Sequence, residues 1–209
     1  LIEAIALSEN RGANAEELFI TRQMALNAGV GQHPELREDL VELDSEVSDK
    51  SDRLRNLDAE RLANFQSRYL DLERRSVIRN QLGTAQAMVN GAEKNNAKKR
   101  APVSLKNAQL SLTNAELMIS TNVRNPSGYR DAVSKANKDA TQLTNVMTVI
   151  DRNGKNLDES VAIKLVAQNR VISGLSKELG AVALQSAAAQ AAMKEKNQEL
   201  SSDVAAQKR

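Results

Sequence analysis

His33 is the one histidine of the chain, and imidazole is the side chain best suited to act as base, acid or metal ligand near neutral pH. It precedes Pro34 in a polar turn. With no second His and no Cys, a transition-metal site there needs three carboxylates. Glu35, Asp39 and Glu42 follow at helical spacing and share one face. A solvated acidic stripe is the simpler reading of them. Gly29-Val30-Gly31 is not a phosphate loop, because no strand precedes it and no Gly-Lys-Ser/Thr follows. Asp151-Arg152-Asn153-Gly154 lacks the carboxylates of a calcium loop. Ser and Asp are plentiful, but a nucleophilic triad would have to use the one His on its turn. We assign no catalytic, cofactor or metal site, and expect a protein that is not an enzyme.

Charge offers one further candidate. Lys94, Lys98, Lys99 and Arg100 cluster in a polar stretch before Pro102, and Lys106 extends a run without acids. These bases are the candidate contact for an anion or an acidic partner. A milder reading places them at a helix end, where cations suit the dipole. Eight acids lie between Glu35 and Asp52, against Arg37 and Lys50. They read as a solvated face, or as the basic cluster's partner. The net charge of +2 is too small for a general nucleic-acid footprint.

The elements that would position these groups are helices. The 209 residues include 29 Ala and 24 Leu but only two Phe, two Tyr, nine Gly and three Pro. Sandwiches and barrels need β-branched and aromatic strand residues with frequent Gly and Pro turns. Ala, Leu, Glu, Lys, Arg, Gln and Met lose little on entering a helix. The lack of Cys excludes disulfides and thiolate zinc sites. No apolar run reaches 18 residues, so no transmembrane helix is expected. The chain opens on Leu1 and its helical pattern still runs at Arg209, so we read it as a piece of a larger protein.

Breaks fall at Asn27–Pro34, Asn95–Pro102, Asn125-Pro126 and Asn153-Gly154. A short amphipathic segment with Leu18, Phe19, Ala25 and Leu26 precedes the first break. Pro34 suits a first helical position. From there Leu36, Leu40, Leu43, Val47, Leu54 and Leu57 follow coiled-coil spacing, with Lys50 as the lapse. A stutter between Leu54 and Phe65 leads into Tyr69, Leu72, Ile78, Leu82, Ala85, Val89 and Ala92. We expect one helix over 35–93, about 90 Å long. Leu105, Ala108, Leu112, Ala115 and Ile119 line the next helix. Asn125 should cap a third, with Pro126 first and Tyr129, Ala132 or Val133, Ala136, Ala140, Leu143, Met147 and Ile150 on its seam. The last should start near Asn156 and run about 75 Å, with Val161, Leu165, Ile172, Leu175, Leu179, Val182, Ala189, Met193 and Leu200 on its seam.

Short connections make successive helices antiparallel. The expected fold is all-α: an elongated antiparallel bundle, with a coiled-coil stalk and a four-helix head. It is a single elongated domain over 1–209, comprising N-terminal helices and a loop (1–34), a long helix (35–93), a short helical hairpin (102–152) and a long helix (156–207). The acidic half of the first long helix should pair with the Ala-rich half of the last. Leu143 and Leu175 should then sit in a firm core, and Leu43 in a wetter stalk.

The stretch from Leu82 to Ile150 resembles the helical domain of unknown function that precedes OmpA-like peptidoglycan-binding domains in Gram-negative envelope lipoproteins. The matching features are Ala85, Gly91-Ala92, Ala101-Pro102, Leu105 and Ala108, then Tyr129, Ala132, Val133, Ala136, Ala140 and Leu143. The resemblance implies a periplasmic location with outer-membrane association, a lipid anchor upstream and a wall-binding domain downstream. It makes the expected function that of a rigid helical spacer, or of a module binding an envelope partner. Partners would be another protein or a second copy through coiled-coil surfaces, and peptidoglycan through a domain outside this chain. The alternative is a coiled-coil adaptor of a secretion, phage-tail or cytosolic assembly.

Overall fold

A computed structural model describes residues 16–49, 59–154 and 157–207. Among them there are helices and turns and no strand. Helix α1 covers 16–27, and α2 runs Pro34–Asp49. The others are α3 (Ala59–Lys94), α4 (Ala97–Arg100), α5 (Pro102–Asn122), α6 (Arg130–Asn153) and α7 (Glu159–Gln207). The chain divides into two compact units, Leu1–Met147 and Thr148–Arg209.

The expected helix over 35–93 is two helices, α2 and α3, packed on each other. Their ion pairs fix the direction. Glu35, Asp39 and Glu46 accept from Arg79, Arg75 and Arg68 at 2.6–2.8 Å. Steps of four and seven residues forward on α2 match equal steps backward on α3, so the two are antiparallel. In one continuous helix Asp39 and Arg75 would stand about 54 Å apart. Lys50, Leu54, Leu57 and the stutter lie outside the described residues.

Within the first unit α3 serves two groups of partners. Its first half supplies Leu62, Phe65, Tyr69 and Leu72 to a core with Leu18 and Ala25 of α1 and Leu36, Leu40 and Leu43 of α2. Its second half buries Leu82, Ala85, Val89 and Ala92. There α3 packs on α5, and Asn137 of α6 donates to the Gln81 carbonyl. The α3–α5 pair is antiparallel, with Gln86 bonded to Glu116 and Gln109 to Glu93. The expected seams of α5 and α6 are buried from Leu105 to Ile119 and from Tyr129 to Ile150, with Val133 rather than the half-buried Ala132 at the second position of α6. Phe19 departs from its expected place and is exposed.

The connections follow from local chemistry. Gly29 adopts φ +88°, a left-handed turn that an L-residue enters at a cost of about 1–2 kcal/mol. It lets the chain leave α1 and bury Val30 before Pro34 opens α2. Gly154, at φ +107°, follows α6 in the same way. Pro126 opens a 3-10 turn rather than α6, and Asn125 accepts from the Ser127 hydroxyl instead of capping a helix. The last helix starts at Glu159, a little later than expected, with Asp158 accepting the Ser160 amide as its N-cap.

In the second unit Ile150, Ala162 and Val166 are buried. From Ala167 to Lys196 every side chain of α7 is exposed. The expected seam is therefore uncovered at Ile172, Leu175, Leu179, Val182, Ala189 and Met193, and Leu165 is only half-buried. The acidic segment of α2 faces α3 within the first unit. Leu200 lies outside the described side chains.

Candidate interaction surfaces

His33 is the ring its sequence context suggests, held in a turn. Its Nε2 lies 3.0 Å from Asn80 Oδ1, while Asn80 Nδ2 donates to the Ala28 carbonyl. With the amide so oriented, Nε2 carries the proton and donates. Ser76 adds a hydroxyl bond to the same Ala28 carbonyl. The histidine thus belongs to a clasp that ties the α1–α2 connection to α3. Among the described residues no group of three His, Asp or Glu side chains is placed to hold a metal ion.

The acidic run is no bare solvated stripe. Glu35, Asp39, Asp44 and Glu46 each hold an arginine from α1 or α3. Their partners are these arginines. Each pair is partly exposed, and contributes about 0–1 kcal/mol. The ladder therefore fixes register more than it adds stability.

Asp44 is the best-connected acid. It accepts Arg22 Nε and Nη2 at 2.8 and 2.6 Å and the Tyr69 hydroxyl at 2.8 Å. Burial raises its carboxyl, but the bonds from Arg22 and Tyr69 outweigh that and hold it below its ordinary value. Burial, then the Asp44 carboxylate, pushes the Tyr69 phenol up, so it stays protonated. A carboxyl lowered by folding stabilises above its unfolded pKa, and this contribution fades as pH falls through the folded value. Asp44→Asn should therefore flatten the pH dependence of stability below about pH 4. Urea unfolding from pH 6 to 2 checks this. Asp139, lowered likewise despite burial by bonds from Lys135 and Ser111, should leave a residual slope.

Sequence reading missed a buried ion pair. Glu73 of α3 is buried, and Arg124, just after α5, donates to both its carboxylate oxygens at 3.0–3.3 Å. Ser111 of α5 similarly bonds Asp139 of α6, which also accepts Lys135. Neither pairing has a local sequence signal, since 51 and 28 residues separate the partners.

The basic cluster occupies the α3–α5 corner. Asn96 turns the chain in the left-handed conformation, which Asn tolerates better than most residues. The four-residue α4 then buries Ala97 and, after it, Ala101. Lys94, Lys98 and Lys99 are exposed, whereas Arg100 is half-buried and reaches toward the Asn95 carbonyl. Lys98→Ser with Lys99→Ser should change stability by under about 0.5 kcal/mol, and Arg100→Ser should cost more. Thermal melts of the two variants separate the solvated lysines from the structural arginine.

Among the described residues the longest run of exposed apolar side chains is on α7. Ile172, Leu175, Leu179, Val182, Ser186, Ala189 and Met193 alternate spacings of three and four along one face. Leu175 is 55% exposed and Leu179 71%. A second, smaller ridge of Val103, Leu110 and Leu117, spaced by seven, lies on the outer side of α5.

No family model, curated protein or solved structure matches this sequence. No helix among the described residues is long and apolar enough to cross a membrane.

Proposed function

We propose that this chain is a non-enzymatic interaction module of the bacterial periplasm, a helical spacer associated with the outer membrane. In this reading α7 supplies one strand of a coiled-coil stalk, and the second strand comes from outside the chain. The observation that carries it is the apolar stripe from Ile172 to Met193, exposed along its whole length. A lone helix gains little from propensity alone, and most helical stability in proteins comes from covering an apolar face. The envelope setting rests on the resemblance of Leu82–Ile150 to the domain that precedes OmpA-like modules. Lys94, Lys98 and Lys99 would then face anionic headgroups or wall carboxylates, each contributing on the order of 1 kcal/mol near a charged surface and fading with salt.

Hydrogen exchange on the dilute chain tests the reading. Amides of 171–193 should exchange fast while those around Ile119 and Leu143 stay protected. Strong protection of 171–193 in a dilute monomer would mean that the chain covers the stripe itself, and would overturn the docking role.

A further inference from the structure

We propose that the occupant of the α7 stripe is the same segment of a second copy, running antiparallel. This rests on the reading of α7 as a stalk strand. The stripe is graded in size. Its first half carries Ile172, Leu175, Leu179 and Val182, and its second half Ser186 and Ala189 before Met193. A parallel pair would stack Ser186 on Ser186 and Ala189 on Ala189, next to layers of Leu179 and Val182. Two helices cannot be close at one layer and wide at the next without leaving voids. Reversing one copy sets large side chains against small ones in the middle of the stripe. Leu179 then faces Ala189, Val182 faces Ser186 and Leu175 faces Met193. In this register Ile172 stands opposite Lys196, and sliding the pair one heptad toward the start of α7 exchanges that for Met193 opposite Gln168, so each register leaves one end residue of the stripe against a polar side chain.

The flanks fit a copy of the same chain. Between Val171 and Met193 the only charges are Lys177 and Glu178. In the antiparallel register they stand opposite Ala191 and Gln190 of the second copy, so no like charges meet. Ala183, Ala187, Ala188, Ala191 and Ala192 surround the stripe and let the backbones approach. The exposed segment spans 167–196, about 45 Å of helix. A strip of that length and a helix's width covers roughly 500 Å², below the roughly 800 Å² per partner of a stable interface, so the pairing should depend on concentration.

The chain lacks cysteine, so introduced thiols report contacts without background. In the register proposed, Leu175 of one copy meets Met193 of the other, while the two Leu175 residues stand about 27 Å apart. Mild oxidation of an equimolar mixture of Leu175→Cys and Met193→Cys chains should give a disulfide-linked heterodimer, and neither variant alone should cross-link. In sedimentation the chain should pass from 22.8 kDa to twice that mass as its concentration rises. Leu179→Asp should shift that midpoint at least about tenfold upward. Efficient cross-linking of Leu175→Cys with itself would overturn the antiparallel direction. A monomer at every concentration, with fast exchange over 171–193, would overturn self-pairing and leave the stalk reading intact. A monomer with slow exchange there would overturn both.

Discussion

Leu143→Ala should lower the stability of the first unit by about 3 kcal/mol, and Leu43→Ala should cost a similar amount, because a Leu-to-Ala cavity in a packed core costs roughly 2–5 kcal/mol. Both residues are closed off from solvent, at 0% and 1% exposure. They lie in different helix groups, Leu143 on α6 and Leu43 in the core of α1, α2 and α3. Leu175→Ala, on the exposed face of α7, should leave the melt of that unit within about 0.5 kcal/mol of the parent. Sequence periodicity ranks these three differently, with Leu175 in the core and Leu43 in a wetted stalk. Chemical denaturation of the three variants decides the order. A large loss from Leu175→Ala at a dilution where the chain is monomeric would show that the α7 face is covered within one chain.

Arg124→Ala should be nearly as damaging, by about 3 kcal/mol, through a different cause: it strands a buried carboxylate, and breaking one partner of a buried pair typically costs about 3–5 kcal/mol. The Glu73 side chain is 6% exposed, whereas the Arg124 guanidinium is 45% exposed. The asymmetry sets the expectation. Arg124 can be released to water cheaply, but the carboxylate it leaves behind cannot be rehydrated in place. Glu73→Gln in the Arg124→Ala background should recover a large part of the loss, since a neutral amide costs less to bury than an unpaired charge. Equal stability of the single and double variants would mean that water reaches Glu73 in the arginine's absence.

The all-helical class and the later seams were legible because α5 and α6 bury apolar residues at strict helical spacing. Leu105 through Ile119 and Val133 through Ile150 fall where the period puts them. The reversal between α2 and α3 was not legible, since neither Gly nor Pro occurs between residues 50 and 58. The leucines of α2 carry the same 4-and-3 spacing whether the covering helix comes from the same chain or another. Periodicity names the face that needs cover, never what covers it, and α7 shows the same limit in reverse. The polar contacts were hidden for a related reason. Ser76 interrupts the apolar spacing of α3, yet it is fully buried because its hydroxyl reaches the Ala28 carbonyl 48 residues earlier. Tyr69 was expected in the core, and there it is; its bond to Asp44 depends on the antiparallel placement of α2. The four bases at 94–100 were found as a cluster, but composition could not tell the exposed lysines from the half-buried Arg100.

The double duty of α3 has a thermodynamic consequence. One 36-residue helix is the common wall of two helix groups, the first with α1 and α2 and the second with α5 and α6. Melting either group removes the surface on which half of that wall is folded, and a helix half without cover has little reason to persist. The two groups are thus coupled through continuous backbone, not through an interface that could open on its own. The first unit should absorb heat as a single peak whose calorimetric and van't Hoff enthalpies agree, as for one cooperative body. An element that reads in sequence as part of one long helix acts in the folded protein as the axle that makes two small cores fail together.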